Sequence, residues 1–145
     1  MSVLHDVKSK LSLNSTILPQ VGTTDITGTA VDTQLSHGVG IMAHIGTSGD
    51  TLSGSVKIEM EVQHSDASGS GFVACADSDI VSAVTGTNTG TFAVIDAAAD
   101  DDQIYKCNYI GSKRYVKVVA NFTGTHTNGC PLSATVVLLP TQLPA

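Results

Sequence analysis

Five histidines, His5, His37, His44, His64 and His126, are the residues of this 145-residue chain best able to hold a metal or carry a proton. They show neither H-x-H nor H-E-x-x-H spacing, the patterns that aim two imidazoles at one ion. A β-scaffold could still gather two or three in space, as in metal-binding cupins, but the glycine-framed histidine motif of those proteins is absent. His64 reads as a hydrogen-bonded residue at the rim of a strand. Asp100, Asp101 and Asp102 could offer oxygens to Ca²⁺, yet the D-x-[DN]-x-[DN]-G pattern that wraps a loop round the ion is missing. A solvated acidic turn is expected there. Glu59 and Glu61 stand two apart, a spacing open to the paired carboxylates of a glycosidase cleft. With no partner identifiable, they read instead as keeping an outer face soluble. The chain contains no nucleophile elbow, P-loop or dinucleotide fingerprint. It reads as a non-enzyme with no cofactor and no metal.

Cys75, Cys107 and Cys130 are odd in number, widely spaced and without a C-x-x-C pair, so reduced, buried thiols are expected. A net charge of −6 gives no electrostatic support for binding a phosphate backbone. The absence of Trp weakens the case for a platform that stacks sugars or bases. No stretch approaches the apolar length that crosses a bilayer, and the first residues lack a signal-peptide core, so a cytosolic origin is expected. Lys113, Arg114 and Lys117 cluster in this otherwise acidic chain. They read as a solvated strand end or as a docking point for an acidic partner surface.

The elements that must position these groups are strands. Short runs of Val, Ile and Thr punctuated by Gly and Ser clusters place them at about 26–32, 36–46, 55–65, 72–76, 91–96, 104–110, 116–122 and 132–139. Eight strands at this spacing predict a single-domain, all-β sandwich or jelly roll over residues 21–145. Before it comes an N-terminal arm, residues 1–20, whose Val3, Leu4, Val7 and Leu11 allow a helical turn, and whose 14–20 segment reads as an extended connector through Pro19. In the 55–65 run Val56, Ile58, Met60, Val62 and His64 share one face and Lys57, Glu59, Glu61 and Gln63 the solvent face. The most strongly patterned stretch is 109–140. Its first run puts Val116, Val118, Ala120 and Phe122 on the core side, its second is too apolar for an exposed edge, and Asn128-Gly129 between them favours a hairpin or tight reversal.

Two stretches, EVQHSDASGSGFVACADSDIV (61–81) and YIGSKRYVKVVANFTGTHTNGCPLSATVVLLP (109–140), resemble small virion proteins of tailed bacteriophages encoded near the major capsid gene. The shared features are a Q-x-S-D strand end before a short F-x-x-V/A segment and a Y-x-G-x-x-R-Y-V-K-V strand. The chain is similar in particular to jelly-roll cement (decoration) proteins of tailed phages such as those infecting Bordetella. That resemblance implies a protein on the outer surface of an HK97-type capsid, assembled in the bacterial host cytoplasm. There it would bridge neighbouring major capsid subunits as a homodimer or other small homo-oligomer, with no direct contact to nucleic acid or membrane. It supplies no catalytic residues. The expected partner-binding residues are the arm (Val3, Leu4, Val7, Ile17, Leu18) and the basic trio (Lys113, Arg114, Lys117). The competing expectations are another virion component, such as a head-completion or tail protein, and a carbohydrate-binding β-sandwich.

Overall fold

Alternation of β-branched and polar side chains makes strands along most of this chain. In the computed structural model, which describes residues 6–140, these strands build two antiparallel sheets packed face to face. The first sheet runs, in spatial order, β1 (Ser12–Gly22), β11 (Cys130–Pro140), β4 (Ser36–Ile45), β9 (Gln103–Tyr109) and β7 (Ile80–Val81). The second is centred on β10 (Tyr115–Thr123) and β5 (Lys57–Ser65). Short β2 (Ile26–Thr27) and β3 (Val31–Asp32) flank β10, while β6 (Val73–Ala74) and β8 (Thr91–Ile95) flank β5. With β2 and β3 taken as one interrupted strand and the two-residue β6 and β7 set aside, eight principal strands remain. Their order is first, eighth, third, sixth in one sheet and second, seventh, fourth, fifth in the other. That interleaving is a jelly roll, and the expected all-β sandwich is what the chain forms. Between the sheets, Ile41, Ile45, Leu132 and Val136 meet Ile58, Met60, Val62, Val116 and Val118 in one apolar cluster, each contributing about 1.5–3 kcal/mol of transfer free energy. Cys75, Cys107 and Cys130 are buried free thiols, pushed up to about 12, 12 and 11 by burial.

The fold corrects three expectations. The run at 14–20 is not a connector, because it lies inside β1, an eleven-residue strand paired with β11. Pro19 fits there because β1 is a sheet edge and its register breaks between Ile17 and Gln20, where no ladder bond is demanded of it. The only helical turn before β1 among the described residues is a 3₁₀ turn at Lys8–Lys10. Val3, Leu4 and His5 lie outside the described residues.

The 109–140 stretch is not a hairpin. Val116, Val118 and Ala120 are buried as expected, but β10 pairs with β5 whereas β11 pairs with β1 and β4, so the connection crosses from one sheet to the other. Gly124 and Gly129 both take φ of +80°, which bends the chain back without strain. The Asp50 carboxylate holds the bend by accepting from the N–H groups of Thr127 (3.1 Å), Asn128 (3.0 Å) and Gly129 (2.7 Å).

Glu59 and Glu61 do not face solvent. The segment 85–90 folds over them, leaving them 2% and 1% exposed. Glu61 accepts from Asn88 Nδ2 (2.6 Å), Asn121 Nδ2 (2.8 Å) and Gln63 Nε2 (2.8 Å). Glu59 accepts from the Thr87 N–H and hydroxyl, both at 2.7 Å, and pairs with Lys57 at 3.4 Å. Burial acts to raise the Glu59 carboxyl, and the Thr87 and Lys57 contacts outweigh it, holding the group below its ordinary value. The two carboxylates therefore tie a loop to the sheet. Replacing Glu61 by Ala strands three amide donors, and urea unfolding should show a loss on the order of 3 kcal/mol. A loss within about 0.5 kcal/mol would mean that water takes over the carboxylate's role.

Candidate interaction face

Register places every outward side chain of the first sheet. One row across it reads Leu13, Val137, Gly40, Asn108, Val81; the next reads Ser15, Thr135, Met42, Lys106; a third carries Ser133, His44 and Ile104. The five strands of this sheet contain no Asp or Glu and one lysine, Lys106, in a protein whose net charge is −6. Leu13, Leu18, Val21, Ile104 and Ile110 are each more than half exposed. An acid-free surface that exposes Leu, Val and Ile among Ser, Thr and His is of the kind a protein presents to another macromolecule.

A trench runs through the middle of it. Gly38 and Gly40 alternate on the outer side of central β4, so two side chains are missing from the sheet surface. The resulting groove of about 560 Å³ is walled by Val137 and Leu139 on one side and Asn108 and Ile110 on the other. It shares Gly40, Asn108 and Val137 with a second basin of about 400 Å³ bounded by Met42, Val81 and Lys106. At the far end Leu35 sits between the groove residues Thr33 and Ser36, 75% exposed and at φ +65°, a left-handed conformation that disfavours a leucine.

The residues expected to bind a partner are scattered by comparison. Val7 and Leu18 are exposed, but Ile17 is 2% exposed and packs in the core, so it is corrected to a scaffold residue: the β1 register pairs it with Ala134, which turns it inward. The basic trio lies at the entrance of β10 in the other sheet, Lys113 and Arg114 before the strand and Lys117 on it, and each member already has a neighbour. Lys113 Nζ lies 2.5 Å from Asp66, Arg114 forks onto Asp32 at 2.9 and 2.7 Å, and Lys117 stands 4.2 Å over the Phe72 ring. His64 does make its rim hydrogen bond, Nδ1 lying 2.8 Å from the Tyr109 hydroxyl. Among the described residues no three His, Cys, Asp or Glu side chains group as metal ligands, and no helix is long and apolar enough to cross a membrane. The groove residues do carry a sign in the sequence: Gly on alternate positions of SHGVGIMAHI, in strands free of acids. No family model, curated protein or solved structure matches the chain.

Two measurements bear on these contacts. A methyl group on Gly40 would meet its nearest neighbours at 3.7 Å, so Gly40→Ala should fit and raise stability by about 0.5–1 kcal/mol in urea unfolding; a destabilised variant would show that the fold itself needs glycine. Arg114, with the Gln34 N–H, lowers the Asp32 carboxyl from 3.8 to about 2. A depressed carboxylate stabilises the fold above its unfolded value and ceases to do so as pH falls from about 4 through 2. NMR titration should therefore find Asp32 near 2, and Arg114→Ser should return it toward the ordinary range.

Proposed function

We propose that this chain is a structural virion protein, a cement that docks on the outer surface of an HK97-type phage capsid and bridges neighbouring major capsid subunits. It holds the head together without covalent bonds and acts as a homodimer or other small homo-oligomer. The observation that carries this reading is the acid-free outer face of the β1–β11–β4–β9–β7 sheet on an otherwise acidic molecule. The sequence resemblance to phage cement proteins supplies the identity of the surface it meets.

Four full strands about 4.8 Å apart and some ten residues long offer roughly 600 Å² of flat sheet, approaching the ~800 Å² that each partner contributes to a standard interface. A packed head pushes outward on its shell, and an interface spanning two subunits must be lost before they separate, so bound cement shifts the balance toward the intact shell. The jelly-roll scaffold suits that task, since its rigid two-layer core presents the docking face without loop rearrangement.

Purified virions should contain the chain in high copy, and heads made without it should break at lower temperature or on dilution of salt. Virions free of the chain would end this reading. A copy number matching a single ring per particle would favour a head-completion or tail component.

A further inference from the structure

We infer that the trench over Gly38 and Gly40 is a receptor for one extended, largely apolar segment of the partner protein, with Lys106 taking a carboxylate on that segment. This deepens the cement reading and rests on it for the partner's identity; the chemistry of the site does not depend on it.

No crowding inside the fold asks for glycine at these positions, although the β4–β11 register breaks beside Gly38, between the Leu139 and Pro140 pairings. Neither takes a positive φ, and a Cβ would lie 3.7 Å from Leu139 Cβ at Gly38 and 3.7 Å from Asn108 Oδ1 and Val137 Cβ at Gly40. Gly28 provides the contrast, since there a Cβ would fall 2.4 Å from Thr16 Oγ1 and 2.5 Å from the Val118 carbonyl. Gly40, in regular register on both sides, fits the other use of glycine inside a strand, a place where another chain comes close.

The shape selects the form of that chain. The walls on β11 and β9 stand about 9.6 Å apart, twice the strand spacing, which admits the side chains of one extended segment and excludes a helix 10–12 Å across. From Gly38 to Met42 the floor is about 13 Å long, room for about four extended residues.

Charge selects its chemistry. Lys57, Lys113 and Arg114 have carboxylate partners and Lys117 an aromatic one, whereas Lys106 has no ion pair among the described residues and no acid on any strand of its own sheet. A second copy docked face to face would bring lysine toward lysine with no acid to meet either. A different protein that carries a carboxylate beside apolar side chains satisfies both features.

The test uses the full chain and a capped hexapeptide alternating leucine with threonine and ending in aspartate, followed by amide NMR. Saturable shifts should appear at Gly38, Gly40 and Asn108. Gly40→Leu should abolish them, and either Lys106→Ser or a peptide ending in asparagine should weaken binding by about fivefold. Absence of shifts at millimolar peptide, shifts elsewhere, or equal binding by both peptides overturns the inference. So does a change of oligomeric state in Gly40→Leu, which would make a second copy the occupant.

Heads lacking the chain separate this inference from the cement reading. If wild-type and Gly40→Leu proteins decorate them equally, the trench is not the docking route and the cement reading stands. If the peptide binds as expected while wild-type protein ignores the heads, the cement reading falls and the receptor stands.

Discussion

The carboxylate of Asp50 gathers the N–H groups of three successive residues, Thr127, Asn128 and Gly129, at the point where the chain leaves one sheet for the other. Backbone bonds from Gly49 to Gly129 and from Gly46 to Pro131 reinforce the clamp, so the turn after β4 grips the turn before β11. Much of the molecule hangs on this crossing. It sends β10 to the centre of one sheet and β11 between β1 and β4 in the other, and so sets two apolar faces opposite each other. Asp50 can serve because a carboxylate is a pure acceptor, able to satisfy several orphan donors at once.

At the opposite seam the two layers are joined by a smaller device. Thr16, buried on β1, donates its hydroxyl to the Thr29 carbonyl and accepts from the Val118 N–H of the other sheet. Thr29 returns a bond to the Thr16 carbonyl, closing an edge that would otherwise expose unpaired groups. Glu59 and Glu61 do comparable work on the outer side of the second sheet, where their loop acts as a partial third layer. The outer side of the second sheet is thus partly covered and that of the first left bare.

Periodicity revealed which residues are buried more readily than what they pair with. Val116, Val118 and Ala120 read correctly as core because alternation reports the pleat directly. The hairpin expectation failed at Asn128-Gly129 because a reversal signal does not say whether the strands it separates share a sheet. In a jelly roll the last two strands must lie in different ones, so the topology and the hairpin were incompatible expectations. Glu59 and Glu61 are buried because their cover comes from a loop 27 to 28 residues downstream, and no local pattern encodes a lid. Pro19 is a strand-breaking signal, yet an edge strand with a bulge accommodates it. At the candidate site, Lys113 and Arg114 were conspicuous in sequence because their acidic partners, Asp66 and Asp32, are distant along the chain. Gly38 and Gly40 were inconspicuous because what they contribute is missing volume.

The distribution of acids has a consequence for encounters at a distance. With the carboxylates confined to the second sheet and the loops, and Lys106 alone on the bare sheet, the molecule carries a lopsided field. Near a negatively charged surface, torque turns the bare sheet toward it before any atoms touch, over a range of about 8–10 Å at ordinary ionic strength. The chain therefore arrives already oriented, an alignment that salt weakens even as it screens the overall repulsion of a molecule of net charge −6, and copies approaching one another acid side first are held apart.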